Sequence, residues 1–133
     1  MINRQQGDPM YRTLLVVLAA LGVAWGITAL LVPDVLAQLY GGTLVGFGRA
    51  FTNVGAAIAV GFGLIDWSVR NLQDPSVRRS ILIANLVAIT LVALVLLVNT
   101  AAGTFNVLGW AGALLHAILA AVVFLAVVRA GRG

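Results

Sequence analysis

Long apolar segments, separated by short polar ones, dominate the chain. Each is close to the roughly 20 residues that an α-helix needs to cross the hydrocarbon core of a bilayer. In lipid every backbone polar group must be paired within the protein, which favours helices, and short connections make successive helices antiparallel. The pattern therefore predicts an all-α polytopic membrane protein, a single domain whose four transmembrane helices form an up-down-up-down bundle. The predicted spans are 10–32, 44–67, 76–99 and 107–129.

Polar and helix-breaking residues mark the ends of these segments. Asp8-Pro9 and Asp74-Pro75 are predicted helix starts, because Asp caps exposed N–H groups and Pro lacks an N–H that would need a partner. Pro33 ends the first apolar run, and residues 34–40 are expected to form a short helix at the membrane interface. The first run ends without a small-residue cleavage signal, so we interpret it as a retained helix and not as a signal peptide.

Composition supports a membrane location. The chain of 133 residues is 62% hydrophobic and 9% charged, whereas soluble domains are about 45–50% apolar and about 25% charged. It contains no cysteine, which excludes disulfides, thiolate metal sites and thiol nucleophiles. Among the remaining residues no catalytic constellation, metal site or nucleotide-binding motif can be recognised, so we expect a protein that is not an enzyme.

The arginines predict the orientation. All eight basic residues are arginines, and they flank apolar runs without forming a patch, so nucleic-acid binding is not expected. The connections around 33–43 and 99–106 contain no basic residue. By the positive-inside rule, both termini should be cytoplasmic. Seven arginines lie on the predicted cytoplasmic side: Arg4, Arg12, Arg70, Arg78, Arg79, Arg129 and Arg132.

Three polar residues inside the spans are candidate ligand-binding residues: Arg49, Asn53 and His116. Arg49 lies roughly 7 Å inside the second span at about 1.5 Å per residue, and intramembrane charges often mark functional sites. Alternatively, Arg49 extends toward lipid phosphates or pairs with Asp34. His116 lies near the middle of the fourth span between two small residues, which would suit an axial ligand of a planar tetrapyrrole pigment. The alternative is a hydrogen bond across the bundle to Asn53, Thr52 or a backbone carbonyl.

Small residues at helical spacing predict two faces for helix packing. Gly22 and Gly26 form such a pair on the first span, and Gly55, Ala59 and Gly63 form a ladder on the second. Small residues let helices approach closely in lipid. A helix needs only one such face within its bundle, so we expect one of the two faces to be spare and available for another helix.

Several segments resemble small four-helix bacterial membrane proteins of the DoxX-like and uncharacterised kind. They are LLVPDVLAQLYGG at the end of the first span, GFGRAF at the start of the second, the basic connection between spans two and three, and the Trp-led last span. The resemblance implies a four-helix fold in the bacterial inner membrane. It implies no activity.

Three functions remain open at this point. The favoured one is a small non-catalytic subunit or assembly partner that packs against itself or another membrane protein. Its expected partners are membrane lipids and a second membrane protein chain, and no cofactor is expected. The second is a binding module for a lipid, quinone or pigment in the outer half of the bundle. The third is a transporter or membrane enzyme.

Overall fold

In residues 9–131, which the computed structural model describes, the protein forms five helices and no strand. Four of the helices are long and apolar enough to cross a membrane. This confirms the predicted all-α fold with four membrane-spanning helices, and the chain is a multi-pass membrane protein. Each long helix begins and ends within three residues of the predicted span. The helices are α1 (Pro9–Leu31), α2 (Pro33–Leu39), α3 (Phe47–Val69), α4 (Pro75–Ala101) and α5 (Val107–Ala130).

The long helices are arranged as two closely packed pairs. Helix α1 packs mainly on α3, and α4 packs mainly on α5. The pairs meet through side chains at one end of the bundle, where Leu15 of α1, Leu82 of α4 and Val123 of α5 are almost completely buried. This end is formed by the starts of α1 and α4 and the ends of α3 and α5, and we call it the arginine end.

Close contact between α1 and α3 depends on glycine. A Cβ atom placed on Gly26 would lie 2.6 Å from the backbone oxygen of Ala56, and one on Gly63 would lie 2.8 Å from that of Ala19. Both distances are shorter than a carbon and an oxygen can approach without repulsion. Only glycine therefore permits this helix spacing, as expected for helix pairs in lipid.

Side-chain caps fix the starts of α4 and α5. The Asp74 carboxylate accepts hydrogen bonds from the backbone N–H groups of Ser76 (2.8 Å) and Val77 (3.1 Å), as the sequence predicted. The pKa of Asp74 is lowered, mostly by the hydrogen bond from the Ser76 side chain and to a smaller extent by these two backbone hydrogen bonds. The equivalent predicted cap, Asp8, lies outside the described residues.

Asn106 caps α5 and also joins it to α2. Its side-chain oxygen accepts from the backbone N–H of Leu108 (3.0 Å), and its Nδ2 donates to the carbonyl of Leu39 (2.8 Å). Its backbone N–H donates to the carbonyl of Tyr40 (3.0 Å). The short helix α2, predicted at 34–40, is thus held against the α4–α5 connection at the end opposite the arginine end.

Candidate functional site

Arg49 forms an ion pair with Asp34, which is one of the two alternatives that the sequence left open. Its guanidinium Nη2 contacts Asp34 Oδ2, and the two side chains are about half exposed, at 51% and 45%. Exposed ion pairs contribute little to stability, typically 0–1 kcal/mol. The pair therefore links the first turn of α2 to the first turn of α3 and leaves Arg49 at the surface of the bundle.

His116 bonds within its own helix. Its Nδ1 lies 2.8 Å from the carbonyl oxygen of Gly112. Because a carbonyl can only accept, Nδ1 donates this hydrogen bond and therefore carries a proton. On the Gly112 side, a Cβ atom would meet Leu96 at 3.3 Å and the Tyr40 hydroxyl at 3.5 Å. A planar macrocycle on that side would have to displace both side chains.

The structure does not join the three predicted binding residues by a direct hydrogen bond. Arg49 and Asn53 lie one turn apart on α3, whereas His116 lies on α5. Asn53 is half-buried, and within the described part of the chain its Oδ1 is buried without a hydrogen-bond partner. Arg49 and His116 therefore make separate contacts, Arg49 with Asp34 and His116 with the Gly112 carbonyl.

The two small-residue faces pack against each other. A Cβ atom on Gly22 would lie 3.1 Å from the backbone oxygen of Ala59, with Gly63 also in contact. One of the two faces was predicted to be spare in the monomer, but both are used in the α1–α3 contact. Gly55 differs from the rest of its ladder, since an added Cβ atom there would meet nothing within 4 Å.

A buried polar pair lies near the arginine end. Asp66 lies three residues before the end of α3, but only 5% of it is exposed. Asn85 Nδ2 of α4 donates to Asp66 Oδ1 of α3 at 2.9 Å and also lies 3.2 Å from the carbonyl of Ile81. The sequence feature that could have indicated this pair is the placement of an acid, Asp66, and an amide, Asn85, on the consecutive helices α3 and α4.

Tyr11 extends this polar cluster to α1. The residue is 3% exposed, and its hydroxyl donates to the carbonyl of Val69 at 3.2 Å. The Arg78 guanidinium carbon lies 5.5 Å from the centre of the Tyr11 ring, within range of a cation–π interaction. Tyr11, Asp66, Asn85 and Arg78 thus bring α1, α3 and α4 together at the arginine end.

Comparison with known proteins adds no functional assignment. No protein-family model matches the chain, and neither a curated protein nor a solved structure shows significant similarity to it. The resemblance to DoxX-like proteins stays a prediction. The case for function accordingly depends on the geometry of the bundle.

Proposed function

We propose that this protein is a small non-catalytic membrane subunit or assembly partner of the bacterial inner membrane, with both termini in the cytoplasm. The orientation is supported by the distribution of charge in the folded chain. The described residues of α2, of the α2–α3 connection and of the α4–α5 connection include no arginine. Five described arginines lie at the arginine end: Arg12, Arg70, Arg78, Arg79 and Arg129.

Cysteine labelling in intact cells tests this orientation, because the chain has no native cysteine. We expect single cysteines at Gly42 and Thr104 to react with a membrane-impermeant maleimide, and one at Gln73 to react only after the cells are opened. Thr104 is preferable to Gly103, whose φ of +76° strains any other residue. The reverse pattern would refute cytoplasmic termini, and labelling of all three in intact cells would refute the four-span arrangement.

The association proposal is carried by the outer, exposed part of one side of α3. Gly48, Gly55 and Asp66 are spaced by about two and about three helical turns, so they lie on one side of the helix. At the inner end of this side, Asp66 contacts α4 through Asn85. Farther out, Gly48 and Gly55 are exposed, and an added Cβ atom on Gly55 would have open space.

Exposed glycine in a helix needs an explanation, since it costs roughly 0.8–1.0 kcal/mol relative to alanine in a helix interior. Gly63 is explained by its contact with α1, but Gly55 has no such contact in the monomer. Close approach of another transmembrane helix would use the same property of glycine. We therefore assign the outer part of the Gly48–Gly55 stripe to association with a second membrane-spanning chain, either this protein or a different one.

Replacement of Gly55 by leucine is expected to abolish this association without unfolding the monomer. The leucine has room in the monomer but would hold an approaching helix away. Native mass spectrometry after extraction in mild detergent should show the wild-type complex and only the monomer of Gly55→Leu.

Gly61→Leu provides a matched control, because Gly61 also has open space for a Cβ atom but lies about 240° around the helix from Gly55. It should retain the complex. Identical assemblies for wild type and both variants would show that the Gly48–Gly55 stripe has no role in association.

A further inference from the structure

The arginine end contains a cavity of about 230 Å³ between α1, α4 and α5. Its walls include Tyr11 from α1, Pro75, Arg78 and Leu82 from α4, and Arg129 from α5. The volume is below the roughly 300–1,000 Å³ of pockets for drug-sized ligands. A single small group fits this space better than a whole cofactor.

The hydrogen-bonding groups around the cavity favour an anion. Arg78 Nη2 donates to the carbonyl of Gln73 at 3.0 Å, but its Nε is buried and has no hydrogen-bond partner. A buried N–H without a partner is costly, and more so in a charged group. Within the described residues neither Arg78 nor Arg129 forms an ion pair, although Arg78 lies close enough to Asp74 to help lower the pKa of that carboxyl.

Arg129 adds a second guanidinium from a different helix. Its Nη1 lies 3.1 Å from the Met10 sulfur, and a thioether is only a weak acceptor. The two described acids near this end, Asp66 and Asp74, accept hydrogen bonds from other groups. Asp74 accepts the hydrogen bonds that cap α4, and Asp66 accepts the Asn85 amide.

We propose that this cavity binds a phosphate group, held between Arg78 and Arg129 next to the first turn of α4. Guanidinium groups bind phosphate through short, charge-assisted hydrogen bonds. Two sources supply that chemistry at this depth: the headgroup of an anionic phospholipid in the adjacent leaflet, or soluble phosphate. Basic pockets between transmembrane helices on the cytoplasmic side bind anionic headgroups in this way. The site does not depend on the association proposed for α3.

The test is lipid binding by the purified, delipidated full-length protein in neutral detergent, measured by native mass spectrometry. Phosphatidylglycerol is the probe, and diacylglycerol with the same acyl chains is the control without phosphate. We expect saturable binding of phosphatidylglycerol and none of diacylglycerol. Arg78→Gln and Arg129→Gln should each weaken the binding by about tenfold, since a hydrogen bond to a charged group contributes at least that factor.

Arg79→Gln is the matched control, because it removes the same charge from the neighbouring position, whose guanidinium lies beside Gly131 and not in the cavity wall. It should change the affinity by less than about threefold. Melting temperatures establish that each variant is folded. Arg129 is exposed, so Arg129→Gln keeps the test decisive even if Arg78→Gln unfolds.

Inorganic phosphate at millimolar concentration separates the two sources. If it displaces phosphatidylglycerol and raises the melting temperature of the wild type but not of Arg129→Gln, the ligand is soluble phosphate. If it has no effect while phosphatidylglycerol binding depends on the two arginines, the ligand is the lipid headgroup. Equal weakening by Arg79→Gln and Arg129→Gln, binding of diacylglycerol, or binding of neither phosphate probe would overturn the proposal.

Discussion

Replacing Gly26 with leucine is expected to lower the free energy of unfolding by about 1–3 kcal/mol, as overpacking of a close contact does. The first added carbon would lie 2.6 Å from the Ala56 backbone oxygen, 2.7 Å from Val60 Cγ2 and 3.0 Å from the Val60 nitrogen. Two of these atoms belong to the backbone of α3, so the helices must separate. Thermal unfolding in detergent, followed by circular dichroism, measures the loss.

Gly55→Leu is the control for this experiment, because it introduces the same side chain at a position with open space. It should unfold within about 0.5 kcal/mol of the wild type, the usual range for surface substitutions. Gly26→Ala should be intermediate, since it introduces the clashing carbon without the rest of the side chain. Equal stability of Gly26→Leu and Gly55→Leu would contradict the close α1–α3 contact.

The sequence was sufficient to predict the helices, because the signals for them are local. Apolar length defines each span, and Asp74 followed by Pro75 defines the start of α4 through hydrogen bonds to the next few residues. The connections are short, so the alternating direction of the helices follows from the order of the spans. None of these features depends on how far one helix is rotated relative to another.

Rotation of the helices is what the sequence left undetermined. In lipid, apolar residues cover all sides of a helix, so hydrophobic periodicity does not distinguish the face that packs from the face that meets lipid. Gly55 and Gly63 belong to the same ladder of small residues in the sequence, yet of these two glycines only Gly63 contacts α1. The burial of Asp66 could not be predicted for the same reason, because it depends on the direction in which α3 presents this residue to α4.

Side-chain reach also determined which polar residues come together. Arg49 is long enough to reach Asp34 in the preceding helix, and this pairing was one of the alternatives because Asp34 lies in the segment just before the second span. Tyr11 and Val69 are joined by a hydrogen bond between helices far apart in the sequence. Such a contact requires the packing of α1 on α3 to be known first.

Asn85→Leu is expected to destabilise the protein by about 1–3 kcal/mol, although leucine resembles asparagine in size and is more apolar. The reason is Asp66, which is 5% exposed and accepts its hydrogen bond from Asn85. Removing one partner leaves a buried polar group unsatisfied, whereas replacing both partners with apolar groups can be nearly neutral. The double variant Asp66→Leu/Asn85→Leu should therefore recover most of the stability lost in Asn85→Leu.

Unfolding of the wild type, the two single variants and the double variant forms a double-mutant cycle, and a coupling of about 0.5–3 kcal/mol is expected for residues in contact. Thr90→Leu is the control, because it replaces a polar residue with leucine at an exposed position of the same helix. It should leave the free energy of unfolding unchanged or raise it slightly. If Asn85→Leu behaves like Thr90→Leu and the cycle shows no coupling, the Asp66–Asn85 hydrogen bond does not stabilise the junction of α3 and α4. A measured coupling would instead establish that this buried pair holds the two helix pairs together at the arginine end. No signal confined to one helix of the sequence indicates such a contact.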